Sequence, residues 1–85
     1  MTLDQLKLLL DAGVEMEFIV TPAVLERGYW VTLRRGYELS TPVEPLSTRR
    51  DPKQYRLFKS LDAVFSLLVI DLEQDFMVHG GASAL

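Results

Sequence analysis

The hydrophobic period of this chain changes from helical to alternating just after Gly13, and this change constrains the class of fold. Before it, Thr2 and Gln5 form a capping-box pattern, and leucines recur at helical spacing. After it, acidic and apolar residues alternate from Glu15 to Val20, which is the pattern of a half-buried strand. We therefore predict a helix over 3–12 that is followed at once by a strand.

A second alternating stretch runs from Tyr29 to Arg34 and is rich in aromatic and β-branched residues. Its odd-numbered residues are predicted to face the core, which places Trp30 and Arg34 on the opposite face of the strand. Arg35-Gly36 then predicts a tight turn into a returning strand over 37–39.

The second half of the chain contains a loop, a strand and a long amphipathic helix. Three prolines mark residues 40–52 as the main loop, in which regular strand pairing is not expected. Short strands are predicted over 54–58 and 75–79, and Ser60 is expected to cap the helix between them. The apolar residues of this helix form one stripe, the clearest helical pattern in the chain: Leu61, Val64, Phe65, Leu68 and Leu72.

These segments together predict an α+β domain with the order α-β-β-β-(β)-α-β. Four to five short strands are expected to form an antiparallel sheet, with both helices packed on one face. The chain has 85 residues, enough for one core, so we predict a single domain over 1–79 and a disordered tail over 80–85. A domain of this size buries a smaller share of its surface than a larger domain does, so its stability should be modest unless a partner covers more of that surface. Self-association would provide such a partner.

The sequence carries no sign of a membrane or secreted protein. No apolar run reaches the roughly 18 residues that suggest a membrane-spanning helix. The first residues lack the basic and apolar blocks of a secretory signal. Cysteine is absent, which excludes disulfides and thiolate chemistry. A cytoplasmic location with no membrane partner is therefore expected.

Residues suited to catalysis are sparse. His79 is the only histidine, so the chain cannot form a metal site with two histidine ligands. Nor can it supply one histidine to a serine–histidine triad and a second one as a metal ligand. Asp71, Glu73 and Asp75 have the alternate spacing of a cation loop but lack its central glycine and its final acid. We therefore expect no enzymatic activity, no catalytic residues, no cofactor and no metal.

Charge is segregated along the chain. Residues 1–26 and 60–85 each carry a net charge of −4, whereas residues 27–59 carry eight Lys and Arg against three acids, a net charge of +5. Five of the eight aromatic residues also lie in 27–59. The middle of the chain is therefore the place where a binding surface is expected.

The basic, aromatic middle favours a non-enzymatic interaction or accessory module that binds a protein partner or a second copy of itself as a homodimer. The alternative is a nucleic-acid-binding module, although the net charge of −3 for the whole chain disfavours it. A third interpretation is that these charges only solvate the outer face of the sheet. The candidate interaction residues are Trp30, Arg34, Arg35, Tyr37, Arg49, Arg50, Lys53 and Arg56.

Residues 55–65, YRLFKSLDAVF, form a predicted strand that runs into a Ser-capped helix. This segment resembles a stretch found in small uncharacterised proteins of bacterial plasmids and integrative elements. The resemblance implies a bacterial cytoplasmic setting and an accessory role near plasmid or mobile-element maintenance.

Overall fold

The computed structural model describes residues 1–24, 26–36, 42–51 and 53–79. Over these residues the chain forms an α+β fold with two helices and one sheet, which confirms the predicted class. In chain order the elements are α1 (Leu3–Asp11), β1 (Met16–Pro22), β2 (Tyr29–Arg35), β3 (Glu44–Pro45), α2 (Leu61–Phe65), a π-helical continuation of α2 (Ser66–Asp71) and β4 (Met77–Val78). The predicted strand over 37–39 and the predicted tail over 80–85 lie outside the described residues.

Helix α1 begins and ends where the sequence predicts. The Thr2 hydroxyl accepts a hydrogen bond from the Gln5 backbone N–H at 3.3 Å, and the Thr2 N–H donates to Gln5 Oε1 at 2.9 Å. This reciprocal pair is the predicted capping box, and it satisfies two backbone groups at the start of the helix. After the helix, Gly13 has a φ of 85°, a left-handed conformation that lets the chain turn into β1.

The sheet has the strand order β3-β2-β1-β4. Strands β1 and β2 are antiparallel and pair along their whole length, from Met16 opposite Arg35 to Pro22 opposite Tyr29. Val31 is fully buried, whereas its neighbour Trp30 is only partly buried and lies on the other face. The predicted alternation of β2 is therefore confirmed.

Strand β4 pairs in parallel with β1, with Ile19 opposite Met77 and Val20 opposite Val78. The prediction of an entirely antiparallel sheet is wrong at this edge. Helix α2 and its continuation carry the chain back across the sheet, so the chain re-enters beside β1 in the same direction. Periodicity within a strand holds no information on its direction in the sheet.

Strand β3 lies within the segment that was predicted to be an unpaired loop, so that prediction is wrong over 44–45. Glu44 and Pro45 pair with Leu33 and Thr32 of β2. The Leu46 N–H donates to the Val31 carbonyl at 2.8 Å, so the neighbouring Pro45 nitrogen points away from β2. An edge strand tolerates proline in this orientation, because no ladder hydrogen bond is lost.

The segment 54–58, predicted to be a strand, makes two single bridges. Tyr55 bridges to Ser47, and Phe58 bridges to Tyr29. Through these two contacts, residues 54–58 lie beside the start of β2 and beside Ser47. They position Tyr55 beside the sheet, although the segment forms no continuous strand.

One hydrophobic core lies between the sheet and the two helices, as predicted. Its sheet layer comes from the alternate residues of β1 and β2, and its helical layer from α1, α2 and the π-helical segment. The buried apolar residues are Met1, Leu6, Met16, Phe18, Val20, Val31, Leu33, Leu46, Phe58, Val64 and Leu68.

Helix α2 is capped as predicted, since the Ser60 hydroxyl accepts from the Ala63 N–H at 3.1 Å. After Phe65, however, the helix widens to π geometry, in which the Leu72 N–H bonds five residues back to Leu67. Its inward row is therefore spaced by four: Val64, Leu68 and Leu72. The prediction that Leu61 and Phe65 share this inward face is wrong, because they are 37% and 48% exposed.

Candidate functional site

The outer face of the sheet is the face opposite the core. Both helices pack on the core side, and in the described part of the chain no helix covers the outer face. Strand β1 contributes Glu17, Ile19 and Thr21 to this face, and β2 contributes Trp30, Thr32 and Arg34. Such an uncovered sheet face usually carries solvated polar side chains. Here it carries a tryptophan, which lies opposite Thr21, one pair from the end of the β1–β2 ladder.

Trp30 belongs to a row of side chains that crosses three segments of the sheet. Thr32 pairs with Pro45, so continuing the same register by two residues places Ser47 opposite Trp30. On its other side, Ser47 bridges to Tyr55. The rings of Trp30 and Tyr55 approach to 4.7 Å between centroids at an interplanar angle of 36°. Because Ser47 is small, the two rings meet above it, and Ser47 is only 2% exposed.

This row presents hydrogen-bond donors without partners. The buried Ser47 hydroxyl has no hydrogen-bond partner among the described residues. Within the same residues, neither the Trp30 indole N–H nor the Tyr55 hydroxyl makes a hydrogen bond. An indole N–H is a donor only, and a buried hydroxyl without a partner is costly. Because the Ser47 hydroxyl is buried, the polar groups that this row offers to a ligand are the Trp30 N–H and the Tyr55 hydroxyl.

The ring pair forms part of a shallow depression of about 290 Å³, lined by Glu26, Trp30, Lys53, Gln54 and Tyr55. Two lining residues donate to Asp51: the Lys53 N–H donates to Asp51 Oδ1 at 2.9 Å, and the Gln54 N–H donates to the Asp51 carbonyl at 3.0 Å. The two charged residues at the rim are of opposite sign. The depression is therefore aromatic, and the charges in its lining balance.

Arg34, a predicted interaction residue, is engaged within the protein. Its guanidinium forms an ion pair and a hydrogen bond with the Glu17 carboxylate, and each side chain is only 12% exposed. The Arg34 Nε–H is buried and has no partner among the described residues. Since Glu17 and Arg34 neutralise each other, they leave the outer face with little net charge at this point.

The other predicted residues fall in several places. Arg49 and Arg56 line a second depression, of about 320 Å³, beside the start of α1. There Arg49 pairs with Asp4 at 3.5 Å with both side chains well exposed, and the Arg56 guanidinium lies 5.1 Å from the Phe58 ring centroid. Arg35 lines a third depression with Leu8 and Leu9.

Arg50 is exposed and lines none of these depressions, and Tyr37 lies outside the described residues. Of the predicted set, the structure brings together Trp30 and Lys53 at one depression and Arg49 with Arg56 at another. The basic middle of the sequence therefore does not fold into one basic patch in the described part of the chain.

Two residues of the aromatic site were missed by sequence reasoning. Tyr55 lay in a predicted strand with no register, and Ser47 lay in the predicted loop. Each joins Trp30 through pairing between segments that are distant in sequence. The only local signal for Tyr55 was its place among the aromatic residues of 27–59.

Among the described residues, no group of three or more potential ligand side chains is placed to hold a metal ion. Along the same residues, no helix has both the length and the apolar character needed to cross a membrane. Comparisons with protein-family models, curated proteins and solved structures give no match. The resemblance of residues 55–65 to proteins of plasmids and integrative elements therefore stays a prediction.

Proposed function

We propose that this chain is a protein-interaction module that binds its partner through the outer face of the sheet, centred on Trp30 and Tyr55. One observation carries the proposal: a tryptophan–tyrosine pair stands on a sheet face that neither helix covers. Aromatic residues are enriched and charged residues depleted at the centre of protein interfaces. The Glu17–Arg34 pair lies four residues along the strands from Trp30 and is self-neutralised, so the surroundings of Trp30 on this face match that composition.

The distribution of cations favours a protein partner over a nucleic acid. A single-strand binder combines stacking rings with a positively charged groove that follows the phosphates. In the described part of the chain, the depression at the ring pair has Lys53 as its one cation, and Glu26 lies in the same lining. Arg49 and Arg56 line a different depression. Stacking and phosphate binding are therefore not combined at this site.

The proposal is tested with Trp30→Ala and a matched control, Ile70→Ala, which removes an apolar side chain that is 63% exposed on the π-helical segment. Light scattering after size exclusion measures self-association of both variants, and selection from a random peptide library measures binding to other chains. We expect a complex that forms with the wild type and with Ile70→Ala but is lost in Trp30→Ala.

Circular dichroism of each variant shows whether it is folded. If no self-association and no peptide binding depends on Trp30 in a folded variant, the proposed function is wrong. Titration with single-stranded and double-stranded oligonucleotides at two salt concentrations is the third arm. Salt-dependent binding that requires Trp30 would establish the nucleic-acid alternative instead.

A further inference from the structure

We infer that the ligand of the Trp30–Tyr55 depression is an extended, proline-containing peptide segment. The inference rests on the proposed function and specifies the chemistry of its partner. It is carried by the position and lining of the depression, by the Trp30 N–H and the Tyr55 hydroxyl, which have no partner among the described residues, and by the opposite charges of Glu26 and Lys53.

The position of the depression limits the conformation of a bound peptide. It lies on the face of the sheet, whereas a peptide that adds a strand needs the free backbone groups of a sheet edge. A helical ligand anchors residues i and i+7, which are about 10 Å apart along its axis, in a continuous apolar groove. The lining of this depression is a single ring pair with a polar rim, Glu26, Lys53 and Gln54. An extended segment that places one or two side chains on the rings fits this arrangement.

The unpaired hydrogen-bond groups favour a ligand rich in acceptors. The Trp30 indole N–H donates only, and the Tyr55 hydroxyl has no partner among the described residues. A proline-containing segment in the polyproline II conformation has carbonyl groups with no internal partners, and each proline lacks an N–H. The carbonyls of such a segment can accept hydrogen bonds from the Trp30 N–H and the Tyr55 hydroxyl. Because proline has no N–H, the segment brings few donors of its own that would need acceptors.

The ring faces favour a flat apolar side chain. The ring centroids are only 4.7 Å apart at an interplanar angle of 36°, so the two rings pack against each other, and a ligand can contact only the ring surface that this packing leaves uncovered. A pyrrolidine ring is apolar and rigid, and its segment is already ordered before binding, which lowers the entropy lost on association. The opposite charges of Glu26 and Lys53 favour a ligand core without net charge.

The test uses a blocked oligoproline peptide as the probe and a blocked glycine–serine peptide of the same length as the control. Trp30 is the single tryptophan, so its emission reports directly on the site. We expect a saturable emission change with oligoproline and none with the control peptide. Isothermal titration then compares variants, for which Tyr55→Phe should weaken binding roughly fivefold through loss of one hydrogen bond.

Tyr55→Ala should weaken oligoproline binding on the order of tenfold or more, since it removes one ring of the pair. Arg50→Gln is the matched control: Arg50 is exposed and outside the lining, so oligoproline affinity should not change. An equal response to both peptides, or no saturable response to oligoproline, would overturn the inference. If library selection still returns Trp30-dependent peptides without proline, the proposed function survives and only the ligand class is wrong.

Discussion

Gly28 sits where the β1–β2 connection passes closest to the segment that leads into α2. Its φ is +132°, a conformation that side chains with a Cβ rarely adopt. An added Cβ would overlap the Phe58 carbonyl oxygen and lie 3.0 Å from Leu57 Cδ1. That carbonyl cannot move freely, because it accepts from the Tyr29 N–H at 2.7 Å. We therefore predict that Gly28→Ala is strongly destabilising.

The size of the effect follows from two terms. Backbone strain at such a φ costs about 1–3 kcal/mol. Displacing Phe58 weakens the two hydrogen bonds that it exchanges with Tyr29, each worth about 1 kcal/mol. If both hydrogen bonds are lost, the free energy of unfolding falls by about 3–5 kcal/mol, against a total stability of roughly 4–13 kcal/mol for a chain of 85 residues.

Gly36→Ala is a comparison variant that lacks the close contact. Gly36 also has a positive φ, 63°, but an added Cβ there meets nothing within 4 Å. Only the backbone term applies, about 1–2 kcal/mol. Urea denaturation followed by Trp30 emission and by circular dichroism measures both variants. If Gly28→Ala is no less stable than Gly36→Ala, the close approach of Gly28 to Phe58 has no energetic consequence and the reasoning is refuted.

Two further predictions concern the ion pair and the helix cap. Glu17→Gln leaves the Arg34 charge nearly buried without its partner and should cost about 3 kcal/mol in urea denaturation. Asp4→Asn, in the exposed pair with Arg49, should cost less than about 1 kcal/mol, and equal costs would contradict a structural role for Arg34. Ser60→Ala removes the hydroxyl that caps α2 and should cost about 1 kcal/mol by the same measurement. Ser66→Ala, inside the same helix, is its control, and a loss as large as that of Ser60→Ala would show that the cap is not responsible.

Sequence patterns predicted correctly those features that depend only on residues close together in the chain. The capping box at Thr2, the alternation in β2 and the Ser60 cap all appear in the structure as the sequence predicts. The parallel direction of β4 and the pairing of Glu44–Pro45 were not predictable in this way. Both depend on which distant segment lies beside β1 or β2. Neither the hydrophobic periodicity nor the composition of a segment identifies its neighbour in the sheet.

The same distinction between local and long-range information applies to the residues of the candidate site. Alternation in β2 placed Trp30 on the outer face correctly, because one strand is enough to decide a face. The partners of Trp30 and Arg34 required register between segments, so Tyr55, Ser47 and Glu17 were not identified as their neighbours. The sequence also leaves open whether the cations of 27–59 form one patch; in the structure the chain folds back, and Lys53 lines one depression whereas Arg49 and Arg56 line another.

The two edges of the sheet differ in whether another strand can join them. At β3, Pro45 has no N–H, and its carbonyl is occupied by the Met1 amino group at 2.9 Å. At β4, the His79 N–H bonds to Val20, so the Val78 N–H points away from the sheet. On the described residues, the sheet can therefore lengthen on one side only. Two copies joined at β4 would end in a proline strand at both outer edges, so this geometry stops at a closed pair and does not propagate into a fibre.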